Sequence, residues 1–407
     1  MAKLANWRLA VALMAIAALA VTVTACGGGS SSSSESTTAA AEEEGEAGTE
    51  ESASAEEGEE AESEEGEAET VAEIVPAPPT EPLDEFPVTE PIKEKPPAKQ
   101  NVIWLACSLP SCQGDLSVGY KKAAEALGWS FEQINYNPLK AAEAVQTALN
   151  KDPDAIFITG IPPAAFEAQA KEAIKKEIPI FSGFDLTEPE PEKNGIYYQY
   201  LNAAGYGNEA KKMSDWVIND SGGKAHVLTV VIEEYPILVS EVESIEEAYG
   251  EGCPECSIEK LAVTVEDVEG GKSPAKIVAF LQTHPEIDYI QFTFGDLLPG
   301  VEAALQSAGM EGIKFTGVQS NPSIVKEIIE GKVAAWTAQP QQFQGWISTD
   351  AAIRVAQGLP LTKYEESGEI PTWVIDSKPA AEQVLEEGGE WPGPAGFEEK
   401  FEKLWGL

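Results

Sequence analysis

Histidine and arginine each occur only twice in 407 residues, and cysteine five times. So few histidines leave little material for a histidine-ligated metal site or a histidine-based proton relay. Lysine and arginine together number 27 against 69 aspartates and glutamates, a formal net charge of −42. Such a chain lacks the cationic surface that displaces counterions from phosphates, so nucleic acid is not an expected partner, and adhesion to anionic lipid heads is disfavoured too. The length allows two or so domains at roughly 150 residues each.

The charge is unevenly spread. Residues 1–26 carry Lys3 and Arg8 and no acid, residues 27–99 have a net charge of −19, and residues 100–407 one of −25. After Lys3 and Arg8 comes an apolar run from Leu9 to Val23. As a helix it rises only about 22 Å, short of the ~30 Å hydrocarbon core, so it reads as an export signal rather than a membrane span. It ends Val23-Thr24-Ala25-Cys26, followed by three glycines. This resembles the bacterial lipoprotein signal: an aliphatic residue, two small ones, then cysteine. The resemblance implies a signal peptide over 1–25, cleavage before Cys26, lipid on its sulfur, and a protein held at the outer face of the cell membrane.

Outside the cytosol cysteines are expected to oxidise. Cys107, Cys112, Cys253 and Cys256 allow three pairings; pairing within 107/112 and within 253/256 closes the smallest loops, and we read them as local staples. Two other readings carry less weight. Cys253-Pro254-Glu255-Cys256 has the redox C-x-x-C spacing, but it precedes a strand instead of opening a helix. A four-cysteine zinc site would need the two distant pairs to meet.

Residues 26–99 are Gly, Ser, Glu, Ala and Pro with almost no large apolar side chains. Such a segment buries too little surface to offset its ordering entropy, so it is expected to be a disordered acidic tether spanning roughly 45–50 Å as a coil, its Pro-rich end from Val75 to Pro97 stiffer. It would carry a folded domain away from the membrane; the alternative is an acidic ligand for a basic partner.

From Asn101 the texture changes. Val102–Ala106 is a continuous apolar run, the mark of a strand buried on both faces. A turn-rich loop, 108–114, precedes a helix carrying Tyr120, Ala123, Ala124 and Leu127 and stopped by Gly128. Strands at 129–134, 154–160 and 178–182 then alternate with helices at 141–149 and 164–175. The rhythm restarts after residue 202, with strands near 225–231, 258–265, 289–293, 314–318 and 334–339 and helices between them, the last at 345–357. This is an α/β chain of two doubly wound parallel-sheet units, whose facing strand ends form a cleft.

Five segments, in their order and spacing, carry a family resemblance: Gly119–Trp129, Lys151–Ile158, Glu177–Ile180, Gly317–Pro322 and Thr337–Gly345. Over roughly residues 100–380 the chain resembles the type I solute-binding proteins of ABC importers, the ribose- and galactose-binding kind. That resemblance implies the type I periplasmic-binding-protein fold: two lobes, a three-strand hinge closing on a small solute, and delivery to an ABC transporter permease by a monomer. It places the N-terminal lobe at 100–201 and 340–360, the C-terminal lobe at 202–339 and 361–380, and a tail with a short helix at 381–407. Carried over by position, the ligand residues are Ser111 and Gln113 in the first loop, Phe184 and Asp185 after the fourth strand, Glu234 and Tyr235, Gly295 and Asp296, and Gln319 in the second lobe, with Gln339 at a hinge crossing. Carboxylates and amides suit hydroxyls, and aromatic faces suit apolar ring surfaces; Asp185 or Asp296 could equally cap a helix.

Sugar-binding members often set arginine against ligand hydroxyls. Here the lobes contain only Arg354, expected mid-helix on an outer face, so no guanidinium fork is available and the solute is read as neutral or cationic, not anionic. Enzyme motifs fail on inspection. Gly271-Lys272-Ser273 ends like a phosphate loop, but the first glycine of that motif falls on Glu266. Gly205-Tyr206-Gly207-Asn208-Glu209-Ala210 fits G-x-G-x-x-A but follows a lobe crossing, not the first strand of a dinucleotide unit. His226 and His284 have no evident catalytic partner. The sequence thus points to no enzyme, catalytic residue, cofactor or metal. The reading is a binding lipoprotein serving an importer, or alternatively a sensor reporting occupancy to a receptor.

Overall fold

The computed structural model describes residues 74–83 and 85–407. The expected signal peptide, Cys26 and the first part of the expected tether lie outside the described residues. No described helix is long and apolar enough to cross a membrane.

Eleven strands form two sheets among the described residues: β1 Asn101–Cys107, β2 Ser130–Tyr136, β3 Ala155–Thr159, β4 Ile180–Gly183, β5 Ile196–Tyr200, β6 His226–Ile232, β7 Ser257–Val263, β8 Tyr289–Phe292, β9 Lys314–Gly317, β10 Ala335–Ala338 and β11 Trp373–Ile375. The first sheet has the order β2-β1-β3-β4-β5 and is parallel throughout. The second is β11-β10-β9-β8-β6-β7, parallel except for β11. The chain is α/β with two doubly wound lobes. Apolar runs predict the central strands well: in β1 every residue after Asn101 is buried, as a strand covered on both faces must be.

Helix packing fixes how the lobes are built. Helix Gln341–Ala356 returns to the first lobe and packs on helix Asp115–Ala126 at a distance that only glycine permits. A Cβ on Gly119 would lie 2.3 Å from the Gln342 carbonyl oxygen, and one on Gly345 2.2 Å from the Tyr120 nitrogen. In the second lobe helices Ala203–Asp220 and Pro236–Gly252 pack together. The G-x-G-x-x-A stretch lies inside the first of these; a Cβ on Gly207 would meet Ser244 Oγ at 2.6 Å, so that glycine serves helix contact.

Several expectations need correction. The tether does not extend to residue 99 as a free coil: residues 74–83 and 85–99 form a strap on the folded body. At its start the Asn219 side chain accepts from the Ile74 and Val75 nitrogens, and the Pro79 carbonyl accepts from Val374 of β11. It then passes to the first lobe. There Val88 is fully buried, Phe86 packs edge-on against Phe343 and Phe401, Arg354 donates to the Glu90 carbonyl, and Trp129 donates to the Pro97 carbonyl at 2.7 Å. A composition poor in apolar residues hides this, because most of the strap's hydrogen bonds are made by its backbone.

Arg354 is not on an outer face. It is 3% exposed and bonds Asp350 at 2.5 Å, with Glu365 at 3.4 Å. The turn-rich loop contains a short helix, Pro110–Gln113. β5 closes one edge of the first sheet and was unread in the sequence. The C-terminal segment carries a short helix, Phe397–Leu404, which packs on helix Gln341–Ala356, where Trp346 stacks on Phe401 and Trp405. Among the described residues the chain thus passes between the lobes at the hinge and twice more, in the strap and near residues 389–393, where Gly389 meets Pro322 and the Pro392 carbonyl accepts from Phe343.

Candidate functional site

In doubly wound sheets ligands sit beyond the strand carboxyl ends, where the strand order reverses. In the first lobe that point is between β1 and β3. Cys107 at the end of β1 and Thr159 and Gly160 at the end of β3 line a cavity there, with Leu109, Cys112, Leu116 and Phe184. In the second lobe the reversal is between β6 and β8, and Tyr235, Ile237, Leu238, Phe294, Gln319 and Tyr206 form the opposite wall. The cavity therefore joins the switch points of both sheets.

The walls are mostly apolar and aromatic. About 30 Å³ admits a water-sized sphere, room for one or two waters. That space is smaller than a monosaccharide. Two hydrogen bonds cross the cleft here: Asp296 accepts from the Ser111 nitrogen at 3.1 Å and from its hydroxyl at 2.8 Å. Cys107 and Cys112 are disulfide-bonded, which ties the loop bearing Ser111 to the end of β1. Cys253 and Cys256 form the second disulfide, between a helix end and β7.

Each expected ligand residue can now be placed. Phe184, Tyr235 and Gln319 line the cavity. Phe184 and Gln319 both have left-handed backbone, φ 52° and 59°, after β4 and β9. Side chains other than glycine adopt this conformation at a cost, and strain of this kind concentrates at binding sites. Ser111 and Asp296 form the cross-cleft bonds. Gln113 is exposed beside the cleft, donating to the Ser108 carbonyl at 2.8 Å. Asp185 is 2% exposed and accepts from the Thr187 nitrogen; burial raises its carboxyl above the usual range despite that bond. Glu234 accepts from the Val265 nitrogen at 3.0 Å, and Gly295 is buried 2.5 Å, at its Cβ position, from the Gln319 carbonyl oxygen. Gln339 lies behind the cavity at the hinge, donating to the buried Glu209 at 2.5 Å. Burial pushes Glu209 up to about 7.

Cleft residues that sequence reasoning missed include Leu109, Leu116, Ile237 and Leu238, which read as core, and Thr159, Gly160, Tyr206 and Phe294 beside them. Two buried polar atoms in the cavity lack partners: the Tyr235 hydroxyl and Gln319 Oε1. Burial raises the Tyr235 hydroxyl well above its usual range, and the charges of Glu234, Glu269 and Asp296 push it further. Among the described residues neither a lysine, an arginine nor a histidine lines the cavity. Among the described residues no three His, Cys, Asp or Glu side chains converge to hold a metal ion.

Comparison with known proteins agrees with this architecture. Residues 114–360 match the model of the periplasmic binding protein domain. A search of curated proteins finds no match. Among solved structures, a carbohydrate transporter from Acidothermus cellulolyticus 11B in complex with myo-inositol is similar at a TM-score of 0.59 and 17% identity, covering 72% of this chain and 99% of that one. The periplasmic binding component of the arabinose ABC transporter from Shewanella sp. ANA-3, bound to arabinofuranose, gives 0.61 at 15% identity over 71% and 95%. The fructose-binding periplasmic domain of a hybrid two-component system gives 0.61 at 18% over 75% and 99%. At these identities the likeness is one of fold. The family model spans more than half of the chain, so this protein belongs to the periplasmic binding proteins, with the two-lobed type I fold.

Proposed function

We propose that this chain is an extracytoplasmic solute-binding lipoprotein. It captures one small neutral or cationic polar solute by hinge closure and presents it, as a monomer, to an ABC permease. The observation that carries this is the cavity at both switch points, in a cleft crossed by the Ser111–Asp296 bonds and, among the described residues, free of basic side chains in its lining. Of the expected ligand residues, Phe184, Tyr235 and Gln319 would touch the solute, and Ser111 and Asp296 would exchange their mutual bonds for contacts with it. Asp185, Glu234, Gly295 and Gln339 would shape the walls, and Gln113 would guard the mouth. Lipid on Cys26 would hold the protein at the outer face of the cell membrane, with the chain up to residue 73 as its leash and the two lobes divided near residues 201, 339 and 361.

Sugars and polyols are the first compounds to try, because similar folds were solved with myo-inositol and arabinofuranose. A second reading, a sensor passing occupancy to a receptor, is favoured by the likeness to the periplasmic domain of a two-component system. A thermal-shift screen of sugars, polyols, amines and nucleosides tests the binding reading, since a ligand of the folded state raises Tm by mass action. Stabilisation by acidic compounds alone would contradict it. Permease and ATPase genes beside this one favour import; a kinase gene favours sensing.

A further inference from the structure

We propose that the solute is a neutral compound built on a flat apolar ring with a hydrogen-bond donor at its edge, of the class of phenols, indoles and aromatic amides. The inference rests on the solute-binding reading above and narrows its solute class away from sugars and polyols.

The cavity at the two switch points suits an apolar body. Leu109 and Leu116 line it from the first lobe, Ile237 and Leu238 from the second. Among the described residues no charged side chain lines it. Where the lobes meet here, they meet through aromatic rings. Phe184 of the first lobe packs edge-on against Tyr206 of the second, with ring centroids 5.7 Å apart. The Tyr235 ring of the second lobe lies against Gly160 at the end of β3, where a Cβ would fall 3.0 Å from it. With φ at +77° and no side chain, Gly160 offers that ring bare backbone. A planar ring entering between the walls takes over contacts of the same kind, edge-on or offset-stacked.

Polar groups in the cavity are few, and most already have partners. The Thr159 hydroxyl donates to the Gly183 carbonyl and the Tyr206 hydroxyl to the Thr293 carbonyl, both at 3.3 Å. Two buried atoms are left without a partner, the Tyr235 hydroxyl and Gln319 Oε1. Gln319 Oε1 can only accept, so it calls for a donor on the solute; the tyrosine hydroxyl donates or accepts. A phenol O–H, an indole N–H or an amide N–H meets that demand. A sugar or polyol carries hydroxyls all round its ring, and each one stripped of water and left unpaired opposes binding. Ser111 and Asp296 lie outside this lining and reach a solute only by giving up their mutual bonds.

The test is thermal shift and calorimetry on the full chain. Phenol, indole and benzamide are compared with anisole, the donor-free counterpart of phenol, with benzylammonium and benzoate as charged rings, and with myo-inositol and arabinose. At about 1 mM a neutral ring bearing a donor raises Tm, and anisole, the charged rings and the polyols do not. Tyr235→Phe and Gln319→Leu each weaken that compound about threefold to tenfold, the loss expected for one buried hydrogen bond. The Tyr235 hydroxyl has no partner in the unliganded chain, so Tyr235→Phe keeps at least the wild-type Tm without ligand and serves should Gln319→Leu fail to fold. The proposal is overturned if none of phenol, indole and benzamide binds, if anisole or a charged ring binds as tightly as the best of them, or if the variants bind it as wild type does. Binding of myo-inositol or arabinose alone removes this inference and leaves the solute-binding reading standing; binding of none of these compounds tells against both.

Discussion

Arg354→Met is the sharpest perturbation of the fold. Its guanidinium is the only arginine charge in the lobes, and it is shared among Asp350, Glu365 and the Glu90 carbonyl of the strap. Asp350 is fully buried and Glu365 is 1% exposed. Without the cation, Asp350 keeps its bond from the Trp405 indole at 2.6 Å and Glu365 keeps one from the Thr362 nitrogen at 2.7 Å. Neither bond supplies counter-charge. Breaking a buried ion pair from one side costs about 3–5 kcal/mol. At roughly 2.1 cal/mol/K of unfolding entropy per residue over the folded part, that lowers Tm by about 4–7 °C. The triple variant Arg354→Met, Asp350→Asn, Glu365→Gln removes the stranded charges and is expected to recover most of the loss, because a neutral replacement of a buried ion cluster is often nearly free. Differential scanning fluorimetry on wild type, Arg354→Met, the Asp350→Asn, Glu365→Gln double variant and the triple variant gives the coupling. A single-variant loss under about 1 kcal/mol, typical of an exposed pair, would refute the buried-network account, and so would a triple variant no more stable than Arg354→Met.

Other outcomes follow from the same contacts. Val88→Ala should cost about 2 kcal/mol for two buried methyl groups and the space they leave. Trypsin should spare the bond after Lys93 in wild type and cut it sooner in that variant; equal rates would mean the strap is not docked. Gly345→Ala should separate two helices that pack backbone to backbone, costing at least about 2 kcal/mol by urea unfolding; a neutral result would contradict that approach. Glu209 has its folded pKa raised to about 7. Its contribution is therefore fully present below the unfolded carboxylate range and is lost as pH rises through about 7. The Tm of Glu209→Gln should fall less than that of wild type between roughly pH 4.5 and 8. Parallel curves would place the Glu209 carboxyl at its ordinary pKa.

The alternation of apolar strands and helices was legible from Val102 to Gln357, since buried parallel strands write themselves as continuous apolar runs. The strap was not. Val75, Phe86, Val88 and Ile92 follow no period, and what holds them lies far along the chain: Arg354 is 264 residues from Glu90. Asp350, four residues before Arg354, was the available hint that this arginine had a buried partner. Strand β5 was missed because Ile196–Tyr200 follows a Pro- and Glu-rich stretch that reads as loop. At the site, the loops after the strands could be found by position. Leu109 and Ile237 could not be told from core, because an apolar cleft wall and an apolar core carry the same residues. The left-handed backbone of Phe184 and Gln319 has no signature in residues that ordinarily avoid it.

The central claim is a cleft that closes on a solute. Spin labels at Leu139→Cys, 81% exposed in the first lobe, and Glu269→Cys in the second, in a Cys26→Ser chain, report the distance between the lobes. The account predicts a broad or two-peaked distance distribution that collapses onto its shorter component when a compound that raises Tm is added. One distance that such a compound leaves unchanged would contradict it.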